Sequence, residues 1–150
     1  MATWNEQWDR VKRYYDRFRK INEGFEGHGE PSENYFDDMW AFFQNCYHLK
    51  DWLKKGSFQS AKICENPEKY VNDTPCLAIC GDLTNAIKHM GLREDYPKKS
   101  GVEPKPVNRS MSVIGGSPVV ILKANIEHKG KIIDAFELAT ECMAAWNAYL

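Results

Sequence analysis

The segment from residue 32 to residue 55 constrains the fold most, because its large apolar side chains are not confined to one helical face. A helix that is apolar around most of its circumference needs neighbours on several sides, which is typical of the central helix of a bundle. Ser32 can cap this helix and Gly56 can end it near Lys55. The apolar residues are Tyr35, Phe36, Met39, Trp40, Phe42, Phe43, Cys46, Tyr47, Leu49, Trp52 and Leu53.

Capping signals predict further helices on either side of this segment. Thr3 with Glu6 forms a capping-box pattern that opens an amphipathic helix ending near Gly24. Thr74 followed by Pro75 supplies an N-cap and a first-turn proline for a third helix. Between the second and third helices, we expect SFQSAKIC to be a short helix and ENPEKYVND to be a turn.

The sequence from residue 91 onwards predicts a long connection, a hairpin and a last helix. Residues 91–117 carry proline, glycine and basic residues, which indicates a functional or mobile loop. The β-branched run PVVILKANIE, the turn HKG and the segment KIIDAF predict a β-hairpin. Asp134 with Glu137 can cap the last helix. Its inward stripe is Leu138, Cys142, Ala145 and Tyr149, with Trp146 beside the stripe.

Length and charge limit the class of protein. A chain of 150 residues and 17.3 kDa is expected to form a single domain spanning 1–150. We predict a mainly α (α+β) fold, a bundle of about four main helices with a C-terminal β-hairpin before the last helix. The net charge of -1 provides no global field that attracts nucleic acid or an anionic membrane. The charged N-terminal segment and the absence of long apolar runs predict a cytoplasmic protein with no membrane partner.

The five cysteines, at positions 46, 64, 76, 80 and 142, form an odd set. The one close pair, Cys76 and Cys80, is spaced by a helical turn and is not a Cys-x-x-Cys motif. Reduced and mostly buried thiols are therefore the favoured interpretation, with zinc binding as the weaker alternative. We expect no cofactor.

The segment DLTNAIKH places Asp82, Asn85 and His89 three and then four residues apart, on one stripe of the third helix. Histidine can act as a general base, a general acid or a metal ligand, and Asn85 is within reach of His89. Lys88 can bind phosphate or stabilise developing negative charge. In the structural alternative, Asp82 and Asn85 bind a neighbouring helix or loop, and His89 only occupies a helix C-terminus.

The stretch TNAIKH resembles the signature of the HEPN superfamily of small helical-bundle proteins, with Asn85 and His89 in the expected frame. Thr84 stands where that signature has an arginine. Many HEPN proteins are metal-independent ribonucleases that pair two protomers, and several act as toxins or in phage defence, whereas members without the arginine are often inactive modules. The CYHLKDW and DLTNAIKH segments are also similar to small bacterial proteins without an assigned activity.

The resemblance implies an RNA-processing or RNA-binding homodimer in which His89, Asn85 and Lys88 are catalytic. The polar residues Asp82 and Thr84 would then support this site structurally. Basic residues in and after the 91–117 connection are expected to contact RNA phosphates. They are Lys98, Lys99, Lys105 and Arg109.

Two other classes of function use the same residues. His48, Asp51, Asp82 and His89 form a metal site if the second and third helices bring them together. Alternatively, the polar stripe is a seam in a non-enzymatic homodimer or a docking surface for a partner protein.

Overall fold

The computed structural model describes residues 3–26, 32–56, 58–89, 91–92, 94–114 and 119–150. Within these ranges the chain forms the predicted mainly α (α+β) fold. The helices are α1 (Trp4–Glu23), α2 (Ser32–Lys55), α3 (Pro67–Asp73), α4 (Pro75–Lys88) and α5 (Ala135–Tyr149), with a 3-10 turn at Phe58–Ser60. The strands are β1 (Phe25–Glu26), β2 (Lys105–Ile114), β3 (Val119–His128) and β4 (Lys131–Asp134).

Helix α2 is the central helix, as its apolar circumference predicted. It packs against α1, α3, α4 and α5. Phe43 of α2 meets the edge of Phe18 of α1, with 6.1 Å between the ring centroids. Burial of each such side chain contributes about 1.5–3 kcal/mol. The α2 side chains with no solvent exposure are Met39, Phe42, Phe43, Cys46, Leu49 and Leu53.

The strands form one antiparallel sheet in which β3 pairs with β2 on one side and with β1 and β4 on the other. Alternate β3 side chains, Leu122, Ala124 and Ile126, are buried, and the strand packs against α1 and α5. The predicted hairpin is confirmed as β3 and β4. Its turn consists of Lys129 and Gly130, which both have positive φ, at 51° and 75°.

The connection after α4 is shorter than predicted, because residues 105–114 form β2. This strand pairs with β3 from Lys105 opposite Glu127 to Ile114 opposite Val119, with a bulge between Val107 and Ser110. Residues 115–117 of the predicted connection lie outside the described residues. The β attachment is therefore a four-stranded sheet and not a hairpin alone.

Two of the predicted N-caps are not formed. Thr3 precedes α1, but its side chain makes no capping hydrogen bond. The Thr74 hydroxyl donates to the carbonyl of Tyr70 at 2.6 Å, so it binds the end of α3 and leaves the start of α4 uncapped. Pro75 nevertheless occupies the first turn of α4, as predicted.

Other local predictions have mixed outcomes. The segment ENPEKYVND contains α3 and is not only a turn, since the Asn66 side chain caps the helix by accepting the Glu68 N–H at 2.9 Å. Asp134 caps α5 as predicted, accepting the Glu137 N–H at 3.0 Å. Trp146 is completely buried and belongs to the inward face of α5. No helix among the described residues is long and apolar enough to cross a bilayer.

Candidate functional site

The polar side chains of DLTNAIKH lie at different depths in and after α4. Asp82 has no solvent exposure and Thr84 has 4%. Asn85 is half-buried, whereas Lys88 and His89 are exposed. His89 is the C-cap residue, because α4 ends at Lys88. The stripe is therefore not a single surface, because Asp82 lies inside the core while Lys88 and His89 lie outside it.

The Asp82 carboxylate is fully engaged by the loop after α4. It accepts the Lys99 N–H at 2.9 Å, the Ser100 N–H at 2.8 Å and the Ser100 hydroxyl at 2.5 Å. A buried carboxylate needs such donors, because an unpaired charge is costly to remove from water. For Asp82, the geometry matches the structural alternative, in which this residue binds a loop.

Thr84 faces α2 and not solvent. Its hydroxyl donates to the Cys80 carbonyl at 2.9 Å and lies 3.3 Å from the Phe43 carbonyl. A threonine in a helix often binds the carbonyl one turn back in this way. The side chain at this position therefore offers no charged or polar group to an external substrate.

The polar side chains at the C-terminal end of α4 differ from those of Asp82 and Thr84, because they are not engaged inside the protein. None of the side chains of Asn85, Lys88 and His89 makes a hydrogen bond or ion pair with another described residue. His48 of α2 is also exposed, and the positive charge of Lys88 is near enough to lower its pKa. We call His48, Asn85, Lys88 and His89 the α4 terminal surface.

The electrostatic environment of His48 favours its neutral form. Partial burial lowers the pKa of His48, and the positive charges of Lys50 and Lys88 lower it further, against an opposing effect of Asp51. A neutral imidazole can accept a proton. The sequence places His48 only in the metal alternative, whereas Lys88, whose charge acts on His48, belongs to the predicted catalytic set.

The structure does not bring together the predicted metal ligands His48, Asp51, Asp82 and His89. No three of these side chains place their ligand atoms within 4.8 Å of one another. Asp51 binds the Lys50 ammonium at 3.0 Å, and Asp82 is held inside the protein. Asp82 and His89 are also seven residues apart on the chain, a rise of about 10 Å in a helix.

Three of the four predicted phosphate contacts lie near or on β2 with different surroundings. Lys105 begins the strand and is exposed. Arg109 is exposed, and its guanidinium lies 4.9 Å from the ring centroid of Phe36. Lys98 is half-buried in the preceding loop and donates to the carbonyl of Glu94 at 2.9 Å.

The fourth, Lys99, is engaged in an ion-pair network that the sequence did not reveal. The two carboxylate oxygens of Glu68 bind the ammonium groups of Lys50 and Lys99, each at 2.8 Å. Both ammonium groups also lie over the ring of Tyr47, at 4.7 and 5.8 Å. Burial raises the pKa of Glu68, but the two lysines outweigh it and lower that pKa to about 2. Lys99 therefore stabilises the protein and is not a free phosphate ligand.

A cleft of about 360 Å³ opens beside this loop, between the start of α4 and the turn after β3. Ser100, Lys129 and His128 contribute to its wall. His128 is 8% exposed, and within the described chain its Nε2 atom has no hydrogen-bond partner. Burial, followed by the charge of Lys129, lowers the pKa of His128. The sequence places His128 in the predicted turn HKG, and nothing in that pattern indicates that its side chain is buried beside a cleft.

Three cysteines from different helices meet in the core. Cys46 of α2, Cys80 of α4 and Cys142 of α5 are buried, and their Sγ atoms all lie within 4.8 Å of one another. The prediction that most of the thiols are buried is confirmed for these three residues, whereas Cys76 is half-buried and Cys64 is exposed. Sequence spacing could not reveal the cluster, because it pointed only to Cys76 and Cys80 on one helix.

Comparison with known proteins does not assign the chain to a family. No family model, no curated protein and no solved structure gave a significant match.

Proposed function

We propose that this chain is a HEPN-like, cytoplasmic RNA-processing domain whose site is the α4 terminal surface. The observation that carries the proposal is the group of open side chains of Asn85, Lys88 and His89 beside the neutral His48. Polar groups without internal partners are available to a ligand, whereas Asp82 and Thr84 are engaged inside the protein. A role in phage defence or as a toxin rests on the resemblance alone.

The proposed reaction is cleavage by the ribose 2′-hydroxyl. His89 takes the proton of this hydroxyl as its oxygen attacks the neighbouring phosphorus, with the neutral His48 as a second candidate base. The bond from phosphorus to the 5′ oxygen breaks, and that oxygen takes a proton from water, which leaves a 2′,3′-cyclic phosphate. Lys88 stabilises the negative charge on the phosphate, and Asn85 orients the ribose.

A cleavage assay tests the proposal. Purified protein is incubated with mixed cellular RNA, with and without EDTA. The variants are His89→Ala, Lys88→Ala and His48→Ala, and Lys131→Ala, an exposed lysine on β4, is the matched control. We expect cleavage that persists in EDTA, falls by about 10²-fold or more in His89→Ala and is unchanged in Lys131→Ala. Folded protein that neither binds nor cleaves RNA would contradict the proposal, and EDTA-sensitive cleavage would favour a metal-dependent reaction.

The second candidate is a module that binds RNA or a partner protein without turnover. The observation in its favour is the burial of Thr84, because no arginine stands at this position and its side chain faces α2. Salt-dependent RNA binding that weakens in Lys88→Ala, without cleavage in any condition, would select this candidate.

We also propose a homodimer, since the resemblance implies that two protomers bring their motifs together. Light scattering at micromolar concentration tests it directly. A protein that cleaves RNA as a monomer would refute the paired site while leaving the role of His89 intact.

A further inference from the structure

We propose that Cys46, Cys80 and Cys142 bind a thiophilic d¹⁰ metal ion, Zn²⁺ or Cu⁺, with Cys76 as the fourth ligand when the ion is Zn²⁺. The three Sγ atoms lie within 4.8 Å of one another. In a tetrahedral zinc site with bonds of about 2.3 Å, the sulfur atoms are about 3.8 Å apart. The cluster therefore needs at most about 1 Å of contraction to close on an ion.

The chemistry of the donors selects the class of ion. Among the described residues, this is the one group of three metal-ligand side chains with ligand atoms this close, and every member is a cysteine. Thiolates favour Zn²⁺ and Cu⁺ over harder ions such as Mg²⁺ or Ca²⁺. Because the ligands come from three packed helices, they are held in place before the ion arrives.

Cys76 would supply the fourth sulfur and connect the site to solvent, by moving its side chain towards the three Sγ atoms that already lie within 4.8 Å of one another. It lies one turn before Cys80 on α4 and is partly exposed. Its carbonyl lies 3.4 Å from the Sγ atom of Cys142, so the two residues are adjacent. Cys76 also occupies the first turn of α4, where the helix dipole favours negative charge on its sulfur.

The inner side of the cluster is closed by backbone and ring contacts. Trp146 donates its indole N–H to the Cys46 carbonyl at 3.1 Å, and the Cys80 thiol contacts the Phe43 carbonyl at 3.2 Å. This site is buried, whereas the α4 terminal surface is exposed. The metal-site proposal and the RNA-processing proposal are therefore tested independently. A bound ion would join α2, α4 and α5 and stabilise the folded chain by mass action.

The test is an anaerobic titration of reduced, metal-free protein with Co²⁺, as a spectroscopic probe for Zn²⁺, and separately with Cu⁺. Thermal unfolding is measured with and without each ion and with Zn²⁺. We expect one ion per chain, a thiolate-to-cobalt charge-transfer band and a raised Tm. Cys46→Ser and Cys142→Ser should lose both effects, and Cys64→Ser, which changes the exposed cysteine outside the cluster, should retain them. Cys76→Ser separates the ions, because it should abolish Co²⁺ and Zn²⁺ binding but preserve Cu⁺ binding.

If a variant of a buried cysteine fails to fold, the titrations and the Tm of the wild-type protein decide the proposal by themselves. Folded wild-type chain that shows no charge-transfer band, no stoichiometric Cu⁺ binding and no Tm change would overturn the proposal. Binding that survives each of the single substitutions in the cluster, or that is lost in Cys64→Ser, would place the ion elsewhere and overturn it equally.

Discussion

Ser100 donates both its backbone N–H and its hydroxyl to one carboxylate oxygen of Asp82, at 2.8 and 2.5 Å. Asp82 is completely buried in α4, and Ser100 lies in the loop that leaves this helix. The pair therefore fixes the later part of the connection between α4 and β2. It also holds one wall of the cleft that contains His128.

Asp82→Ala should destabilise the protein by about 2–4 kcal/mol, because the donors of Lys99 and Ser100 lose a charged acceptor. Ser100→Ala, which keeps the backbone bond, should cost less. Urea unfolding measures both values. The matched control is Glu127→Gln, an exposed carboxylate on β3. An Asp82→Ala variant as stable as the control would show that the loop does not depend on this carboxylate.

Gly81→Ala should destabilise the fold although alanine favours helices. A Cβ atom at position 81 would lie 2.7 Å from Cε1 of Tyr47 and 3.0 Å from Cδ of Lys99. Overpacking of this kind costs about 1–3 kcal/mol, which equals or exceeds the helix-propensity gain of about 1 kcal/mol. The penalty should shrink in a Tyr47→Leu background, as measured by a double-mutant cycle from chemical denaturation. An additive cycle would mean that the ring is not the source of the strain.

Glu68→Gln should change the acid dependence of stability. Because the pKa of Glu68 is lowered in the folded state to about 2, its contribution is complete above the unfolded-state pKa and declines as pH falls towards 2. The variant should be less stable than wild type at pH 7, and the difference should narrow in acid. Unfolding free energies across this pH range test the prediction. A constant offset between Glu68→Gln and wild type across this pH range would refute the linkage.

Lys88→Ala should raise the pKa of His48, because the substitution removes a positive charge that disfavours the imidazolium form. Titration of the His48 ring protons by NMR measures the shift. Lys131→Ala should leave the titration unchanged. An unchanged pKa in Lys88→Ala would place Lys88 too far from His48 for the two residues to act on one phosphate.

Local sequence patterns determined most of the helices, because the spacing of apolar residues and caps is read along one element. The apolar circumference of α2 identified the central helix, and the turn at Lys129 and Gly130 marked the hairpin. The sequence pattern did not predict β2, because KPVNRSMSVI carries proline and polar residues. The extended conformation of this segment depends on its pairing with β3. The short helix α3 likewise gave little periodic signal.

The sequence alone also identified α4 as the helix with a stripe of polar side chains. Only the tertiary structure showed which of these side chains are buried and engaged and which are exposed. Periodicity gives the direction of a side chain on its own helix and not the distance to another helix. The engagement of Asp82 by Ser100, the pairing of Glu68 with Lys50 and the meeting of the cysteines of α2, α4 and α5 all depend on how distant segments pack. These contacts join residues far apart in the chain, so packing geometry decided them and local pattern could not.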